Sequence, residues 1–447
     1  MNWYGDHVLI LGLGNSGLAA ARWLSHRGAD LRVADSATEL ANLPALMAIN
    51  PAIKVSAGEF LAEDFSWADR IIISPGVPVQ QPLIQAAIER GVSVWSDVEL
   101  FAQALPEKSQ VIAITGSNGK STVTTMVDAM CREAGKRTLM AGNIGLPVLD
   151  ALEDHPETDI FVLELSSFQL ETTYTLHPVA ATVLNVSEDH LDRYAGMDDY
   201  AETKARIFKA GGVQVLNRED RRSMAMATHD VVTFGLDASE QDNEYGIRDG
   251  YLCRGHHQLM AVKDLPLAGL HNAANALAAW ALCAAAGLPD APLAKAMGEF
   301  KGLPHRVEWV AKVGGVDFYD DSKGTNVGAT EAALNGMDKP VVLIVGGEGK
   351  GQDFTPLAAA VKKSARAVVQ IGRDGELIAQ AIASAGVPIL RAESMEQAVS
   401  LAYAQAQAGD AVLLSPACAS FDMFKNYAHR AEVFVAAVNN LSEVSHG

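Results

Sequence analysis

A glycine-rich turn between a strand-like run and a helix-like run constrains this chain more than any other feature. Residues 111–114 are apolar and typical of a buried strand, and residues 123–133 are typical of a helix. Between them stands Thr115-Gly116-Ser117-Asn118-Gly119-Lys120-Ser121-Thr122. Glycines there let the backbone turn its N–H groups toward one point, to which the helix N-terminus adds its positive end. This layout is typical of a loop that binds phosphates.

The polar residues of the turn have defined roles in such a loop. Lys120 supplies a cation for the β- and γ-phosphates, and the hydroxyl of Ser121 or Thr122 can bind Mg²⁺. The full motif has a glycine where Ile114 stands, so this loop is a shorter relative of it. The alternative, an ordinary glycine-rich turn, is disfavoured by the run Gly-Lys-Ser-Thr. The predicted phosphate-binding residues are Gly116, Ser117, Asn118, Gly119, Lys120, Ser121 and Thr122.

Length and charge limit the classes of protein that remain. The chain has 447 residues, enough for about three domains, and a formal net charge of −19. That charge argues against a nucleic-acid partner or an anionic membrane surface. The four cysteines show no C-x-x-C spacing, which argues against a disulfide framework or a cysteine zinc site. No basic segment precedes the first apolar run, so we expect a soluble, cytoplasmic protein without membrane insertion.

The N-terminal segment predicts a small Rossmann-like domain over residues 1–97. A strand at 7–11 leads into Gly12-Leu13-Gly14-Asn15-Ser16-Gly17, a helix at 18–27, and a strand at 31–34 that ends at Asp35. This is the glycine-rich start of a dinucleotide-binding fold, although the same turn can hold any pyrophosphate. A further strand at 71–73 ends in a tight turn that contains Gly76.

Ionisable residues follow two strands of the predicted central domain. Glu164 ends the strand at 161–163, and His190 follows the strand at 181–185. Both are placed to meet ions at the phosphate edge of a sheet, although His190 could also be a surface histidine among acids. Lys204 lies within a predicted helix at 199–209. Asn275 opens an alanine-rich helix, where it could reach a nucleotide or cap the helix.

Strands and helices alternate again after residue 302. Strands are predicted at 316–319, 341–345, 367–371 and 411–414, and Gly302-Leu303-Pro304 is a plausible hinge. This alternation indicates a mostly parallel sheet. The predicted fold class is therefore α/β with three domains. They are a Rossmann-like domain (1–97), a central P-loop-type ATPase domain with a mostly parallel sheet (98–302) and a Rossmann-like C-terminal domain (303–447).

Taken in order along the chain, these motifs resemble the Mur ligases of peptidoglycan synthesis. The resemblance rests on residues 116–122, 164–169, 185–192, 271–275 and 303–306. Residues 12–17, 321–326 and 415–424 resemble the branch of that family that joins D-glutamate to UDP-N-acetylmuramoyl-L-alanine. The order of the motifs over nearly the whole chain is far more specific than any single motif.

The resemblance implies an ATP-driven reaction that forms an amide. The L-alanyl carboxylate of the substrate attacks the γ-phosphate to give an acyl phosphate, and the amine of D-glutamate then displaces phosphate. It also implies a UDP-binding domain, a central ATPase domain and a C-terminal domain that swings in. The implied cofactors are ATP, two Mg²⁺ ions and a carbamylated Lys204. Both substrates are small molecules, and we expect a monomer.

The resemblance also assigns roles to individual residues. The catalytic residues would be Lys120, His190 and Lys204, and the metal ligands Ser121, Glu164, His190 and Lys204. Further ATP contacts would be Asn275, Arg306 and Asp321. The UDP-linked substrate would bind Gly14, Asn15, Ser16, Asp35, Ser36, Gly76 and Asn143. D-Glutamate would bind Lys323, Thr325, Lys350, Ser420 and Phe421, with Tyr427 on the wall of its pocket.

The sequence departs from the family pattern at two of these sites. Ala37 stands where a basic residue often follows the pair Asp35-Ser36, which affects the contacts with uracil. Phe421 stands where a leucine is usual, and it keeps the apolar bulk of the pocket.

Other functions account for less of the sequence. A nicotinamide-dependent oxidoreductase would use the Gly12–Gly17 turn and Asp35, but it leaves Lys120 and the central domain unexplained. A binding module without turnover is disfavoured by the joint presence of Lys120, Glu164, His190 and Lys204. Another Mur-type ligase, or a folylpolyglutamate-type ligase, remains the alternative within the superfamily, although the latter lacks a counterpart of the first 97 residues.

Overall fold

The computed structural model describes residues 3–189, 193–267 and 269–444, which form two compact units. The first unit comprises Met1–Val186, Asp198–Leu259 and Ala276–Met297. The second comprises Ser187–Met197, Met260–Asn275 and Gly298–Gly447. None of the described helices is long and apolar enough to cross a membrane.

The N-terminal segment folds as an α/β layer around a parallel sheet. Its elements are β1 (His7–Leu11), α1 (Asn15–Ser25), β2 (Asp30–Asp35), α2 (Leu43–Ile49), β3 (Lys54–Ala57), α3 (Ala62–Trp67), β4 (Arg70–Ile73), α4 (Pro82–Glu89) and β5 (Ser93–Trp95). The strands take the order β3-β2-β1-β4-β5, and every neighbouring pair is parallel. The Rossmann-like prediction is confirmed. Strand β3 was not predicted, because it lies at the sheet edge and begins with the exposed Lys54.

A larger sheet forms the central segment. Its elements are α5 (Asp97–Ala104), β6 (Gln110–Thr115), α6 (Lys120–Glu133), β7 (Thr138–Gly142), α7 (Val148–Asp154), β8 (Ile160–Glu164), α8 (Ser167–Leu170), β9 (Ala180–Val183), α9 (Met197–Ala205), β10 (Val213–Asn217), α10 (Arg221–Met224), β11 (Val231–Phe234), β12 (Glu244–Arg248), β13 (Tyr251–Arg254), β14 (His257–Ala261), α11 (Leu270–Ala285) and α12 (Asp290–Glu299). Short 3-10 turns occupy Arg206–Phe208 and Val262–Asp264.

The central sheet is mainly parallel. Across the described residues its order is β14-β13-β12-β11-β10-β9-β6-β8-β7. The strands from β7 to β12 run parallel, and β13 turns back antiparallel to β12. Strand β6 therefore lies inside the sheet, where both of its faces are covered, and this explains its uninterrupted apolar run. Helix α6 begins at Lys120, three residues before the predicted helix at 123–133.

The C-terminal segment forms a third sheet. Its elements are β15 (Glu308–Val313), β16 (Val316–Asp320), α13 (Val327–Gly336), β17 (Val341–Gly346), α14 (Leu357–Ser364), β18 (Ala365–Ile371), α15 (Gly375–Ala381), β19 (Ile389–Arg391), α16 (Met395–Gln405), β20 (Ala411–Leu414) and α17 (Tyr427–Val444), with a 3-10 turn at Ala383–Ala385. In the described residues the order is β15-β16-β20-β17-β18-β19, and only β15 is antiparallel to its neighbour. The loops after β16, β20 and β17 consequently leave the same edge of the sheet.

Candidate active site

The backbone of the predicted phosphate loop is fixed from two sides. Gly119 has φ 84 and caps α6, and Gly116 has φ 150. A side chain on Gly116 would be strained at that φ and would place Cβ 3.0 Å from the Cβ of Leu184. The Asn118 N–H donates to Oδ1 of Asn185 at 2.8 Å, and Nδ2 of Asn185 donates to the Asn118 carbonyl at 3.1 Å. Asn185 thus shapes the loop, a role that sequence reasoning missed.

Two lysine amines reach the same carbonyl of this loop. Nζ of Lys120 donates to the carbonyls of Gly116 and Ser117 at 2.9 and 3.0 Å. Nζ of Lys204, from α9, donates to the Gly116 carbonyl at 3.0 Å, and this residue is only 1% exposed. The Lys204 amine also lies 4.4 Å from the ring centroid of Tyr200. The residues predicted to bind phosphate and metal therefore converge on one loop although 84 positions separate the lysines.

Glu164 presents a buried carboxylate at the end of β8. It is 2% exposed, and its Oε1 accepts a 2.8 Å hydrogen bond from Nδ2 of Asn143. Among the described residues no donor reaches its Oε2. A buried carboxylate oxygen without a donor is costly unless a cation meets it. The predicted donor set of carboxylate and hydroxyl oxygens, the latter from Ser121 at the start of α6, suits magnesium.

The pairing of β7 with β8 determines where Asn143 lies. Gly142 and Glu164 are register partners, and the Asn143 N–H donates to the Glu164 carbonyl at 2.8 Å. Asn143 was assigned to the substrate by resemblance, and its amide orients the Glu164 carboxylate. His190, predicted as a metal ligand, lies outside the described residues.

The strand order of the N-terminal sheet reverses direction between β1 and β4, which leaves a crevice at the carboxyl edge of the sheet. The chain leaves β1 toward β2 on one side and later adds β4 on the other, and ligands bind at such a switch point. A pocket of about 470 Å³ opens there. Its lining residues are Ser36, Gly58, Glu59, Phe60, Gly76, Val77, Pro78, Gln81 and Leu83. Ser36 and Gly76 were predicted, whereas Gly58 and Phe60 were missed because they follow the unpredicted strand β3.

Asp35 organises the glycine-rich turn beside this pocket. Its Oδ2 accepts the Leu13 N–H at 2.7 Å and its Oδ1 accepts the Ala37 N–H at 2.9 Å. A Cβ on Gly12, whose φ is 87, would lie 2.8 Å from a side chain of the loop after β4. A Cβ on Gly17 would lie 1.9 Å from the Gly12 carbonyl oxygen. The turn therefore requires glycine at both positions.

Asp97 places a buried carboxylate near Ser16, which is predicted to contact the UDP-linked substrate. Asp97 begins α5 and is 2% exposed. Burial raises the pKa of Asp97 to about 6, while the nearby Ser16 hydroxyl and the Val98 N–H, which donates to Oδ1 at 3.0 Å, act in the opposite direction. Among the described residues, no hydrogen-bond donor reaches the other carboxylate oxygen of Asp97, Oδ2.

In the second unit, three loops at the carboxyl edge of the sheet form one bonded rim. The Ala417 N–H, after β20, donates to the Gly324 carbonyl, after β16, at 2.9 Å. Glu348, after β17, and Ala419 exchange N–H to carbonyl bonds of 2.9 Å each. This rim, residues 321–326, 347–350 and 415–421, carries the residues assigned to D-glutamate: Lys323, Thr325, Lys350, Ser420 and Phe421.

The side chains of the rim differ in their exposure. Ser420 is 3% exposed, whereas Phe421 is 70% exposed and Tyr427 37%. Nζ of Lys323 lies 5.4 Å from the ring centroid of Tyr427. Nζ of Lys350, whose φ is 53, lies 3.5 Å from Oδ1 of Asp189, the residue before His190. Both lysines of the rim therefore face specific groups of the same unit.

Arg306 lies between two residues with left-handed backbone. His305 has φ 63 and Val307 has φ 49, an uncommon conformation for a β-branched residue. The strained turn is held by Asp320, whose Oδ2 lies 2.6 Å from Nδ1 of His305, and by Glu308, which accepts the His305 N–H at 2.8 Å. Such strain is stored where the surroundings fix the backbone, often at functional sites.

Asp321 and Asn275 complete the residues assigned to ATP. Asp321 is 4% exposed, and its Oδ2 accepts the Ser415 hydroxyl at 2.7 Å. Burial raises the pKa of Asp321 to about 7, while the Ser415 hydrogen bond and the charge of Arg306 oppose the rise. Nδ2 of Asn275 lies 3.4 Å from Oδ1 of Asn272, one turn earlier.

Comparison with known protein families accounts for the three sheets. The family described as Mur ligase MurD-like, N-terminal domain, matches residues 6–96. The Mur ligase middle domain matches residues 114–283, and the Mur ligase glutamate ligase domain matches residues 305–418. A UDP-N-acetylmuramoylalanine–D-glutamate ligase from Methylobacillus flagellatus is 56% identical, over 98% of this chain and 97% of that protein. The chain belongs to the Mur ligase family.

Other comparisons agree with this membership. A UDP-N-acetylmuramoylalanine–D-glutamate ligase from Thiobacillus denitrificans is 54% identical, over 98% of this chain and 97% of that protein. Among solved structures, a pseudomurein peptide ligase type C from Methanothermus fervidus has the same fold, with a TM-score of 0.63 at 16% identity over 97% of this chain and 100% of that one. For a Mur ligase, the glycine turn at Gly12 belongs to an N-terminal domain of this family, which removes the basis of the oxidoreductase alternative.

Proposed function

We propose that this Mur ligase joins D-glutamate to UDP-N-acetylmuramoyl-L-alanine in the synthesis of peptidoglycan precursors. The observation that carries the proposal is the identity of 56% to a ligase of that name, over 98% of this chain. The match includes the N-terminal domain, which the folylpolyglutamate-type alternative lacks. Membership of the family implies that the reaction uses ATP.

We assign ATP to the loop at residues 116–122. Loop N–H groups and the N-terminus of α6 would receive the phosphates, and Lys120 would offset their charge. As the L-alanyl carboxylate attacks the γ-phosphorus, two anions approach one another, so fixed positive charge at this point lowers the barrier. The new P–O bond gives an acyl phosphate and releases ADP. The amine of D-glutamate then attacks the acyl carbon, loses a proton and expels inorganic phosphate.

We assign Mg²⁺ to Glu164, Ser121, His190 and Lys204. The orphan Oε2 of Glu164 supports a cation at this point. When bound, magnesium would neutralise charge on the phosphates. We further propose that Lys204 is carbamylated: an ammonium at 1% exposure is costly, whereas a carbamate offers the anionic oxygen that magnesium prefers.

Replacing Glu164 by glutamine tests the metal assignment. The amide keeps the shape of the side chain but not its charge, so we expect the magnesium concentration for half-maximal rate to rise about 10- to 100-fold. Binding of Mn²⁺, followed by electron paramagnetic resonance with a non-hydrolysable ATP analogue, should weaken in parallel. Glu157→Gln is the control, because Glu157 is exposed and precedes the amino end of β8, whereas Glu164 stands at its carboxyl end. Unchanged Mn²⁺ binding in Glu164→Gln would contradict the assignment.

We assign the UDP-linked substrate to the N-terminal crevice and D-glutamate to the rim of the C-terminal sheet. The N–H groups of the Gly12–Gly17 turn would hold the diphosphate, and Asp35 with the pocket at Ser36 and Gly76 would hold the nucleoside. Charge-assisted hydrogen bonds are the strong ones, so Lys323 and Lys350 suit the two carboxylates of D-glutamate. We place the domain boundaries at 97/98 and 302/303. We propose that the protein is cytoplasmic, because the reaction consumes ATP. We also propose that it is a monomer.

The amino-acid substrate can be identified directly. The protein is mixed with ATP, Mg²⁺ and UDP-N-acetylmuramoyl-L-alanine, and phosphate release is measured with D-glutamate, L-glutamate, L-lysine or diaminopimelate. We expect release with D-glutamate alone, because inversion at Cα exchanges the amine and the side chain relative to fixed carboxylate contacts. Equal rates with L-glutamate or with a diamino acid would overturn the D-glutamate assignment and leave only the family.

The lysines of the rim provide a second prediction. Lys323→Ala and Lys350→Ala should each raise the KM for D-glutamate at least about 10-fold, since each removes a charged partner of a carboxylate. The KM for the UDP-linked substrate should change far less. Lys363→Ala is the matched control, because Lys363 is exposed on α14 within the same segment. Equal changes in both KM values would contradict the assignment of these lysines to D-glutamate.

A further inference from the structure

A buried guanidinium lies beneath the rim. Arg430, on the first turns of α17, is 1% exposed. Among the described residues, no carboxylate lies within ion-pair distance of it. Burial accordingly lowers the pKa of Arg430 to about 10, and the negative charges of Asp422, Asp320 and Asp321 only partly compensate. A buried guanidinium without an ion-pair partner lowers the free energy of unfolding, so a role other than stability is expected for it. The hydrogen bonds of Arg430 indicate that role.

Every hydrogen bond of the Arg430 side chain goes to the rim. Its Nε donates to the Ser322 hydroxyl oxygen at 2.9 Å, and its Nη2 donates to the Ser322 carbonyl at 2.7 Å. Its Nη1 donates to the Cys418 carbonyl at 3.0 Å. Ser322 precedes Lys323, and Cys418 stands two residues before Ser420. One planar group therefore spans the loops that follow β16 and β20.

The same contacts extend to the pocket wall. The Ser322 hydroxyl donates to the carbonyl of Tyr427 at 2.8 Å while it accepts from Arg430. The ring of Tyr427 in turn faces Nζ of Lys323. Because guanidinium is rigid and carries its donors in a fixed fork, it sets the distance between two loops more strictly than a lysine could. Moving either loop would displace Lys323 relative to Ser420.

We propose that Arg430 is a positioning residue for D-glutamate: it fixes the spacing of the Ser322 and Cys418 loops, and through them the spacing of Lys323 and Ser420. It acts without touching the substrate. The inference rests on the proposed assignment of Lys323 and Ser420 to D-glutamate. It adds a buried residue, outside the loops themselves, that determines affinity for the amino acid.

The test compares Arg430→Met with Arg430→Lys in the full-length protein. Methionine keeps apolar bulk and removes both charge and fork, and we expect the KM for D-glutamate to rise about 100-fold, since small misplacements of binding groups have effects of that order. Lysine keeps the charge without the fork, so its KM should still rise about 10-fold. The KM for UDP-N-acetylmuramoyl-L-alanine should stay within about twofold in both variants, because the Arg430 side chain bonds only to the rim. A mere loss of folded protein would lower kcat and leave both KM values unchanged.

Arg366→Met is the matched control. Arg366 is also an arginine of this sheet and pairs with Asp410, but both residues lie at the opposite, amino-terminal ends of β18 and β20. This variant should lower the melting temperature and leave the KM for D-glutamate unchanged. Should Arg430→Met fail to fold, Ser322→Ala takes its place, because it removes one acceptor of the fork and should raise the same KM about 10-fold.

The possible results distinguish the role of Arg430 from the assignment of Lys323 and Ser420 to D-glutamate. A normal KM for D-glutamate in Arg430→Lys and Ser322→Ala, together with a raised KM in Lys323→Ala, would overturn the role of Arg430 alone. A normal KM in Lys323→Ala and Ser420→Ala would overturn the site assignment on which the role depends. A selective rise in the KM for D-glutamate in the Arg430 variants, absent from Arg366→Met, would establish it.

Discussion

Replacing Lys120 by alanine is expected to lower the rate of phosphate release about 10²- to 10³-fold, with the fold intact. The Lys120 amine donates hydrogen bonds to the carbonyls of Gly116 and Ser117, within the loop assigned to the phosphates. Its charge is needed most when the substrate carboxylate approaches the γ-phosphate, because two anions then meet. The loss should therefore appear in kcat and in kcat/KM for ATP, measured by coupled phosphate release.

Lys136→Ala is the control for this experiment. Lys136 is exposed just beyond the other end of α6, so its removal changes the net charge equally without touching the loop. The melting temperature of both variants should remain close to that of the parent protein. Turnover by Lys120→Ala at a rate near normal would refute the assignment of ATP to residues 116–122.

Replacing Lys204 by alanine is expected to reduce the rate by a comparable factor, about 10²- to 10³-fold. The reason differs from that for Lys120, since the proposed carbamate contributes negative charge toward magnesium rather than positive charge toward phosphate. A small carboxylate such as acetate should therefore restore part of the activity of Lys204→Ala by occupying the vacated space. Acetate should have no effect on Lys120→Ala.

A control variant and a direct measurement of the carbamate test the role of Lys204. Lys209→Ala removes a lysine that is exposed after the same helix, and it should be nearly silent. In protein equilibrated with ¹³C-bicarbonate, a carbamate carbon resonance should be present in the parent and absent from Lys204→Ala. A parent without that resonance, together with a Lys204→Ala variant that acetate does not rescue, would contradict carbamylation.

Local patterns in the sequence predicted the parts of the fold that depend on local chemistry. The turn at Gly116–Thr122 was recognisable because a phosphate loop needs glycine, lysine and hydroxyl residues at fixed positions between a strand and a helix. The Gly12–Gly17 turn was recognisable because its glycines stand at fixed positions between a strand and a helix, and both turns lie at the carboxyl ends of interior strands. Strands β3 and β15 were missed because edge strands carry exposed polar residues, such as Lys54 and Glu308, that break the apolar pattern.

The parts of the site that sequence could not give depend on pairings between distant residues. The contact of Asn143 with Glu164 follows from the register of β7 on β8, and Asn185 reaches Asn118 from the end of another strand. Arg430 meets Ser322 across 108 positions of the chain. Periodicity and spacing indicate which residues are polar and which element holds them, but not the partner that tertiary packing brings to each.

In the proposed mechanism, phosphorylation of the substrate carboxylate by ATP precedes formation of the amide. This order is tested by labelling the L-alanyl carboxylate of UDP-N-acetylmuramoyl-L-alanine with ¹⁸O and adding ATP, Mg²⁺ and D-glutamate. Because the carboxylate oxygen that attacks phosphorus leaves with phosphate when the amine displaces it, the released phosphate should carry one ¹⁸O atom and the product amide should retain the other. Phosphate without ¹⁸O, released in step with formation of the amide, would contradict the acyl-phosphate mechanism.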